Sequence, residues 1–378
     1  MPVRDEDLRD HVVGVSPDVP RDISLEAGTA LNLRRAFPFG AFPFGAVVLP
    51  WLVSRVLSVA VLMLAVDDPR RGSRFTQVAM RWDGAFYLAI ARQGYGPVGV
   101  PFPRWPFFPG LSGVVHALDE VTSGEWPIFV VNQLALLVAF AGLYRLARRH
   151  SSPRAATFAV WAIALFPVSF VFSMTYPSAL FLAASVWAFL LVEEHHDVSA
   201  GVLVGAAAML RPNGMVVAVA LLFVVGVGRR AVIICGPAVA AVGGWCWYCY
   251  DRTGDALVFL NTKARWDEIT LWRVLSGHGK LAVLPHGVLA FLALAAVFWQ
   301  RRRIPMAWQV LAVLYLLPSL VTGMVGLGRY ANECFVPFVT AGAILERMSA
   351  RARYALFALS GGVLVVFAFL SARYELVP

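Results

Sequence analysis

The sequence predicts an all-α polytopic bundle of about eleven membrane-crossing helices, and three observations carry that expectation. Of the 378 residues, 59% are hydrophobic and 15% are charged, whereas a soluble globular chain spends about 25% on Asp, Glu, Lys and Arg. The apolar residues run unbroken for close to the ~20 positions that cross a hydrocarbon core, not in the alternation of a porin-like barrel. The basic residues gather at alternate connections between those runs. A single soluble core and a disordered chain are both excluded by this arithmetic.

Residues 1–35 carry seven acids, five arginines and few large apolar side chains, too little burial to offset ordering, so they are expected to be a disordered cytoplasmic tail. No apolar run with a small-residue cleavage site opens the sequence, so no removable signal is expected and the first span acts as the insertion signal. Residues 36–378 form the transmembrane domain. Spans are expected at 46–66, 126–146, 155–173, 177–192, 198–211, 214–228, 231–250, 282–299, 305–325, 330–346 and 354–372. The pair 198–211 and 214–228 is short and interrupted by Arg211-Pro212-Asn213-Gly214, so it reads either as two crossings or as a re-entrant pair.

Of the 32 basic residues all but Lys263 and Lys280 are arginine. They cluster at Arg34 and Arg35, at Arg145, Arg148, Arg149 and Arg154, at Arg229 and Arg230, at Arg301 to Arg303, and at Arg347, Arg351 and Arg353. All five groups fall on one face of the proposed topology, which makes that face cytoplasmic. The net charge of +9 is therefore a topology signal and does not point to nucleic acid. Arg-, Ala-, Val- and Gly-rich usage suggests a GC-rich bacterium and hence its plasma membrane. The four cysteines are too few for a disulfide framework, and Cys246 and Cys249 lack the second pair that zinc would want, so they read as packing.

Two long connections, 67–125 and 251–281, then lie outside the cytoplasm. In the first, Val78, Trp82, Phe86 and Ile90 recur every four residues, the pattern of an amphipathic helix lying in the headgroup region. Pro101 to Gly110 holds four prolines, which oppose regular structure, and aromatics that favour the interface, so the loop is expected to rest on the membrane.

The polar groups left unexplained are few. Asp83, on the interfacial helix, is placed to accept a proton or to hold a divalent ion, unless Arg81 or Arg92 satisfies it. Arg211 sits at a broken helix, where a guanidinium suits phosphate, against the alternative of snorkelling to the headgroups. Arg329 and Glu333 open a late span and would, in the simplest case, pair with each other. Tyr176 lies at an outer turn. His278, Lys280 and His286 fall in or near the second loop and read as interfacial. Arg55 lies inside the first span and is expected to snorkel or to pair within the bundle. Asp83, Arg211, Arg329 and Glu333 all map to the outer half, which implies one outward-facing polar cavity.

The stretch Arg81-Trp82-Asp83-Gly84 through Arg92-Gln93-Gly94-Tyr95, followed by Phe107-Phe108-Pro109-Gly110, resembles the first luminal loop of the PIG-V family, GPI mannosyltransferase 2, and its bacterial relatives. The resemblance continues in Leu165-Phe166-Pro167, Tyr176-Pro177-Ser178, Leu210-Arg211-Pro212-Asn213-Gly214 and Arg329-Tyr330. It implies a GT-C glycosyltransferase that takes a sugar from a polyprenyl-phosphate donor on the extracytoplasmic side and gives it to a lipid or glycan acceptor. Inverting transfer of a hexose, mannose in the first place, would use Asp83 as general base, with Arg211 and Arg329 on the donor phosphate. Arg81, Trp82, Tyr87, Tyr176, Asn213, Tyr330 and Glu333 would line the pocket. The family's acid after the outer-turn tyrosine is replaced here by Pro177-Ser178-Ala179, which leaves open both the acceptor and a divalent cation, Mg or Mn. The rival reading from another class is a transporter or flippase of lipid-linked glycans, and a third is a non-catalytic membrane subunit.

Overall fold

A run of apolar residues becomes a helix because each backbone N–H and C=O is then satisfied within its own segment, the condition for standing in hydrocarbon. The structure, a computed structural model, describes residues 44–66, 68, 70, 72–263, 284–322 and 326–377. The tail 1–35, Arg34, Arg35, His278 and Lys280 lie outside the described residues. Every regular element among the described residues is helical. In order these are α1 (Phe44–Ala65), α2 (Arg74–Ala79), α3 (Asp83–Gln93), α4 (Pro109–Asp119), α5 (Trp126–His150), α6 (Pro153–Ala164), α7 (Ser178–Glu193), α8 (Asp197–Leu210), α9 (Gly214–Val225), α10 (Arg229–Thr253), α11 (Val258–Asn261), α12 (Leu284–Gln300), α13 (Met306–Thr322), α14 (Leu327–Glu333), α15 (Val336–Arg347) and α16 (Ala350–Ala372).

This is a membrane protein with several apolar helices, of which α1, α5, α10 and α16 are long and apolar enough to cross a bilayer by themselves. Their outward faces carry bare apolar side chains such as Leu52, Val56, Val232, Trp247, Leu359 and Val366, a large apolar surface that fits lipid. Of the remaining apolar helices, α7 and α8 have the length of the expected spans, α9, α12 and α13 are shorter, and two of the expected spans are broken. The span 155–173 ends as a helix at Ala164 and resumes as a 3-10 turn over Ser169–Ser173, because Pro167 has no N–H to continue the ladder. The span 330–346 is α14 and α15, parted at Cys334-Phe335, with Pro337 in the first turn of α15, where proline's missing donor costs nothing.

The core is made by α5 to α9 with α13 to α15. Helix α8 packs on α10, α15 on α6, and α5 on α7, while α16 lies along α1. Arg55 in α1 is 4% exposed and pairs within the bundle: its guanidinium donates to the Ser169 carbonyl at 3.0 Å and to Ser173 Oγ at 2.8 Å. A buried charge thus holds the 3-10 turn that proline created, without a carboxylate among those contacts. Cys249 is buried and Cys246 packs against the same core.

The first long connection departs most from expectation. The repeat from Val78 to Ile90 is two helices, not one, because Trp82 breaks it with φ 51° and ψ −126°. Gly84 is required just after the break, since a Cβ there would stand 2.2 Å from the Ala79 carbonyl oxygen. Gln77 and Arg81, which flank that repeat, are buried as well. The proline-rich stretch is irregular only to Phe108, and Pro109 begins α4. Three of its rings pack inward: Trp105, Phe107 and Phe108 are buried, with Phe107 stacked on Phe86 and Trp105 stacked on Tyr95, while Phe102 is exposed. Gly110 makes a close backbone junction, for a Cβ on it would meet the Met209 carbonyl oxygen at 2.7 Å and the Leu210 nitrogen at 2.9 Å. The loop therefore sits on the corner that carries Arg211.

Candidate active site

Four distant segments meet at this corner, each brought there by a local feature of sequence. Asp83 is the first residue of α3, where an acid is favoured by the helix dipole. Its backbone N–H donates to the Tyr176 hydroxyl at 3.0 Å. Tyr176 is held in turn by Asn132 of α5, whose Nδ2 donates to the carbonyls of Met174 at 2.9 Å and Tyr176 at 3.3 Å. Arg211 follows α8 in extended conformation, because Pro212 ends that helix. Arg329 and Glu333 stand one turn apart on α14.

Arg329 and Glu333 do not pair with each other as their spacing suggests. Arg329 Nη1 reaches Asp83 Oδ2 at 2.7 Å, and Arg211 Nη2 reaches Glu333 Oε1 at 2.7 Å. Neither alternative partner holds Asp83: Arg92 bridges Asp119 and Glu125 instead, and Arg81 lies over the Tyr374 ring, 4.0 Å from its centroid. Arg211 does not snorkel; its side chain is 8% exposed. Glu333 is completely buried and fully engaged. Ser178 Oγ and Arg211 share its Oε1, and the Tyr315 hydroxyl donates to Oε2 at 2.8 Å. The Asp83 carboxylate keeps 24% of its side chain exposed, so it is the acid of the two that a solute can reach.

Aromatic rings separate the two ion pairs. The Arg329 guanidinium lies 4.9 Å from the Tyr176 ring centroid, and both arginines lie 5.6 Å from the Tyr330 ring. Tyr87 is buried within electrostatic range of Asp83, Arg211, Arg329 and Glu333 together. Such rings face cations favourably and exclude water, so both charges act through a low dielectric.

Of the residues selected from sequence, Asp83, Tyr87, Tyr176, Arg211, Arg329, Tyr330 and Glu333 come together. Arg81 and Trp82 do not join them. Trp82 turns to donate from Nε1 to the Ser371 carbonyl at 2.9 Å and meets Tyr374 edge-on. Asn213 precedes α9 without a capping hydrogen bond from its side chain. His286 is not interfacial; it is 1% exposed, and its ring fills the space beside Gly328. Ser178, Tyr315 and Asn132 complete the site and were not selected. Asn132 had a readable signal, an amide beside Gln133 in an otherwise apolar stretch of helix, whereas Tyr315 and Ser178 are ordinary in such company. Among the described residues no three His, Cys, Asp or Glu side chains gather into a group able to hold a metal.

Residues 106–246 match the family model of dolichyl-phosphate-mannose-protein mannosyltransferase. That region contains Tyr176, Ser178 and Arg211 but neither Asp83 nor α14. No curated protein matches the chain. Among solved structures, the oligosaccharyltransferase of Archaeoglobus fulgidus in its apo form is similar with TM-score 0.49 and 14% identity, covering 89% of this chain and 56% of that one. The same archaeal enzyme with an inhibitory peptide and a dolichol-phosphate gives TM-score 0.46 and 13% identity, over 87% and 56%. The chain thus spans just over half the length of these structures. The resemblance to PIG-V rests on the motifs alone, and what the comparisons add is that the middle of the chain is similar to the protein mannosyltransferase family.

Proposed function

We propose that the protein is a membrane glycosyltransferase of the GT-C type, PIG-V-like, which moves a hexose, mannose in the first place, from a polyprenyl-phosphate donor to a lipid or glycan acceptor. The observation that carries this reading is the Asp83–Arg329 pair beside the Arg211–Glu333 pair. A partly exposed carboxylate and two guanidiniums share one aromatic-walled cluster, built from four segments of the chain. The match over residues 106–246 supports an enzyme over a flippase.

In the resting state Arg329 holds Asp83. A donor phosphate competes for that guanidinium, since it can accept from both arms of the fork, whereas Asp83 meets it through Nη1. Once the phosphate takes Arg329, Asp83 is released to act on the acceptor hydroxyl. As the acceptor oxygen attacks the anomeric carbon from the face opposite the phosphate, Asp83 takes the hydroxyl proton. The bond between the anomeric carbon and the phosphate oxygen breaks, and the growing charge on the departing phosphate is met by Arg329 and, at longer range, by Arg211. Glu333 keeps Arg211 oriented and is itself spent on Ser178 and Tyr315. No step is routed through a metal. The site faces the extracytoplasmic side of a bacterial plasma membrane in this reading, because the basic groups mark the other end as cytoplasmic.

The test is transfer of radiolabelled mannose from polyprenyl-phosphate mannose to total membrane lipids, with and without chelator. Expected is label in a lipid or glycan product, lost with Asp83→Asn, and the chelator arm decides whether a divalent ion is needed. Folded protein that fails with every polyprenyl-linked sugar would favour the flippase instead.

A further inference from the structure

A hollow of about 350 Å³ opens on the other side of the Trp82 break from Asp83. Its polar wall holds Asp68, Arg81, Arg373 and Tyr374, and its apolar wall is Leu64 and Phe369, at the last turns of α1 and α16. Arg81 is 8% exposed overall, and its Nε is buried with no hydrogen-bond partner. Its guanidinium lies over the face of Tyr374. A buried guanidinium without an acceptor is costly, and here it lines an open cavity. The carbonyl ends of α1 and α16 ease the charge but supply it no hydrogen bond.

The backbone around this hollow is under strain. Trp82 and Tyr374 are two of three described non-glycine residues with positive φ, at 51° and 64°. Their rings meet at 5.2 Å. Residues held in such conformations gather at ligand sites, and this strain is what aims Arg81 and Tyr374 into one space.

We propose that this hollow binds the phosphate-bearing headgroup of a membrane lipid, with Arg81 as its anchor. The Arg81 fork takes the phosphate, and Arg373, whose present partner is the exposed Glu375 at 3.3 Å, adds a second charge. Asp68, whose Oδ1 accepts from the Arg70 backbone N–H at 3.1 Å, forms the acidic edge of the hollow. The acyl chains leave along Leu64 and Phe369, which are exposed on two helices of spanning length. That continuity favours a lipid over a free anion. The site does not depend on the transfer reaction, since it shares no side chain with the Asp83 cluster.

The experiment is native mass spectrometry of the full chain in detergent, titrated with phosphatidylglycerol, with diacylglycerol of the same chains, and with glycerol phosphate. Expected is one phosphatidylglycerol retained above background, with weak retention of the other two. Arg81→Gln should weaken that retention about tenfold or more, the loss of one charged hydrogen-bond pair, and Arg373→Gln by a smaller factor. Arg81→Lys should restore part of it. Equal retention of diacylglycerol would overturn the phosphate reading, and glycerol phosphate bound as tightly as the lipid would overturn the lipid reading. If Arg81→Gln fails to fold, the exposed Arg373→Gln decides, and unchanged retention in it overturns the site.

Discussion

At the end of the bundle that carries Arg145, Arg149 and Arg230, arginines meet Glu193, Glu194 and Asp197 across half-exposed pairs. Arg145 and Arg149 both reach Glu194, and Arg230 holds Asp197 at 2.7 Å. At the other end of α7, about 24 Å away for 16 residues, the same residue types form two pairs among rings, with Glu333 wholly hidden. Exposed pairs are worth under about 1 kcal/mol each, whereas a buried charge that loses its partner costs about 3–5 kcal/mol. One end can therefore drift in sequence without much consequence. The other cannot lose one member of its buried Arg211–Glu333 pair alone.

The sharpest way to break this comparison is Asp83→Asn. It should lower transfer by about 10²–10⁴-fold while costing less stability than loss of the Glu333 charge, because the Asp83 side chain is 24% exposed and solvent screens its pair with Arg329; wild-type turnover in labelled-mannose assays would remove the base. Next, Glu333→Gln should cost stability by about 3–5 kcal/mol, since Gln can still accept from Arg211 but no longer neutralises its charge where Glu333 is wholly hidden. The double variant Arg211→Met with Glu333→Leu should recover most of it in denaturation while staying inactive. Asn132→Leu should be milder, about 1–3 kcal/mol, for it strips the Met174 and Tyr176 carbonyls of their donor. Arg149→Ala should cost under about 1 kcal/mol and become silent in high salt. Equal costs for Glu333→Gln and Arg149→Ala would dissolve the contrast between the two ends.

The positions of the helices were legible because apolar runs and their flanking arginines are local signals. The breaks at Pro167 and at Cys334-Phe335 were not, since hydropathy averages across a single proline. The Val78 to Ile90 repeat misled for a different reason. Period-four spacing reports which residues face one way in an unbroken helix, and Trp82 breaks it through a backbone conformation that no composition announces. The rings of Trp105, Phe107 and Phe108 resembled an interfacial belt, yet tertiary packing draws them inward. In the site, Asp83, Arg211, Arg329 and Glu333 stood out because ionisable groups are rare among apolar neighbours. Their pairing did not, since Arg329 prefers a residue 246 positions away to the acid one turn along its own helix.

Gly110 has a consequence of a different kind. Backbone touches backbone where it meets Met209 and Leu210, so the first loop has no side-chain cushion over which to slide on the broken helix. Any swinging of α4 must carry the Arg211 corner along or tear the seam open. The loop is therefore no interchangeable cassette: grafting it from a cousin would succeed only if the glycine and the α8 end that receives it travelled together.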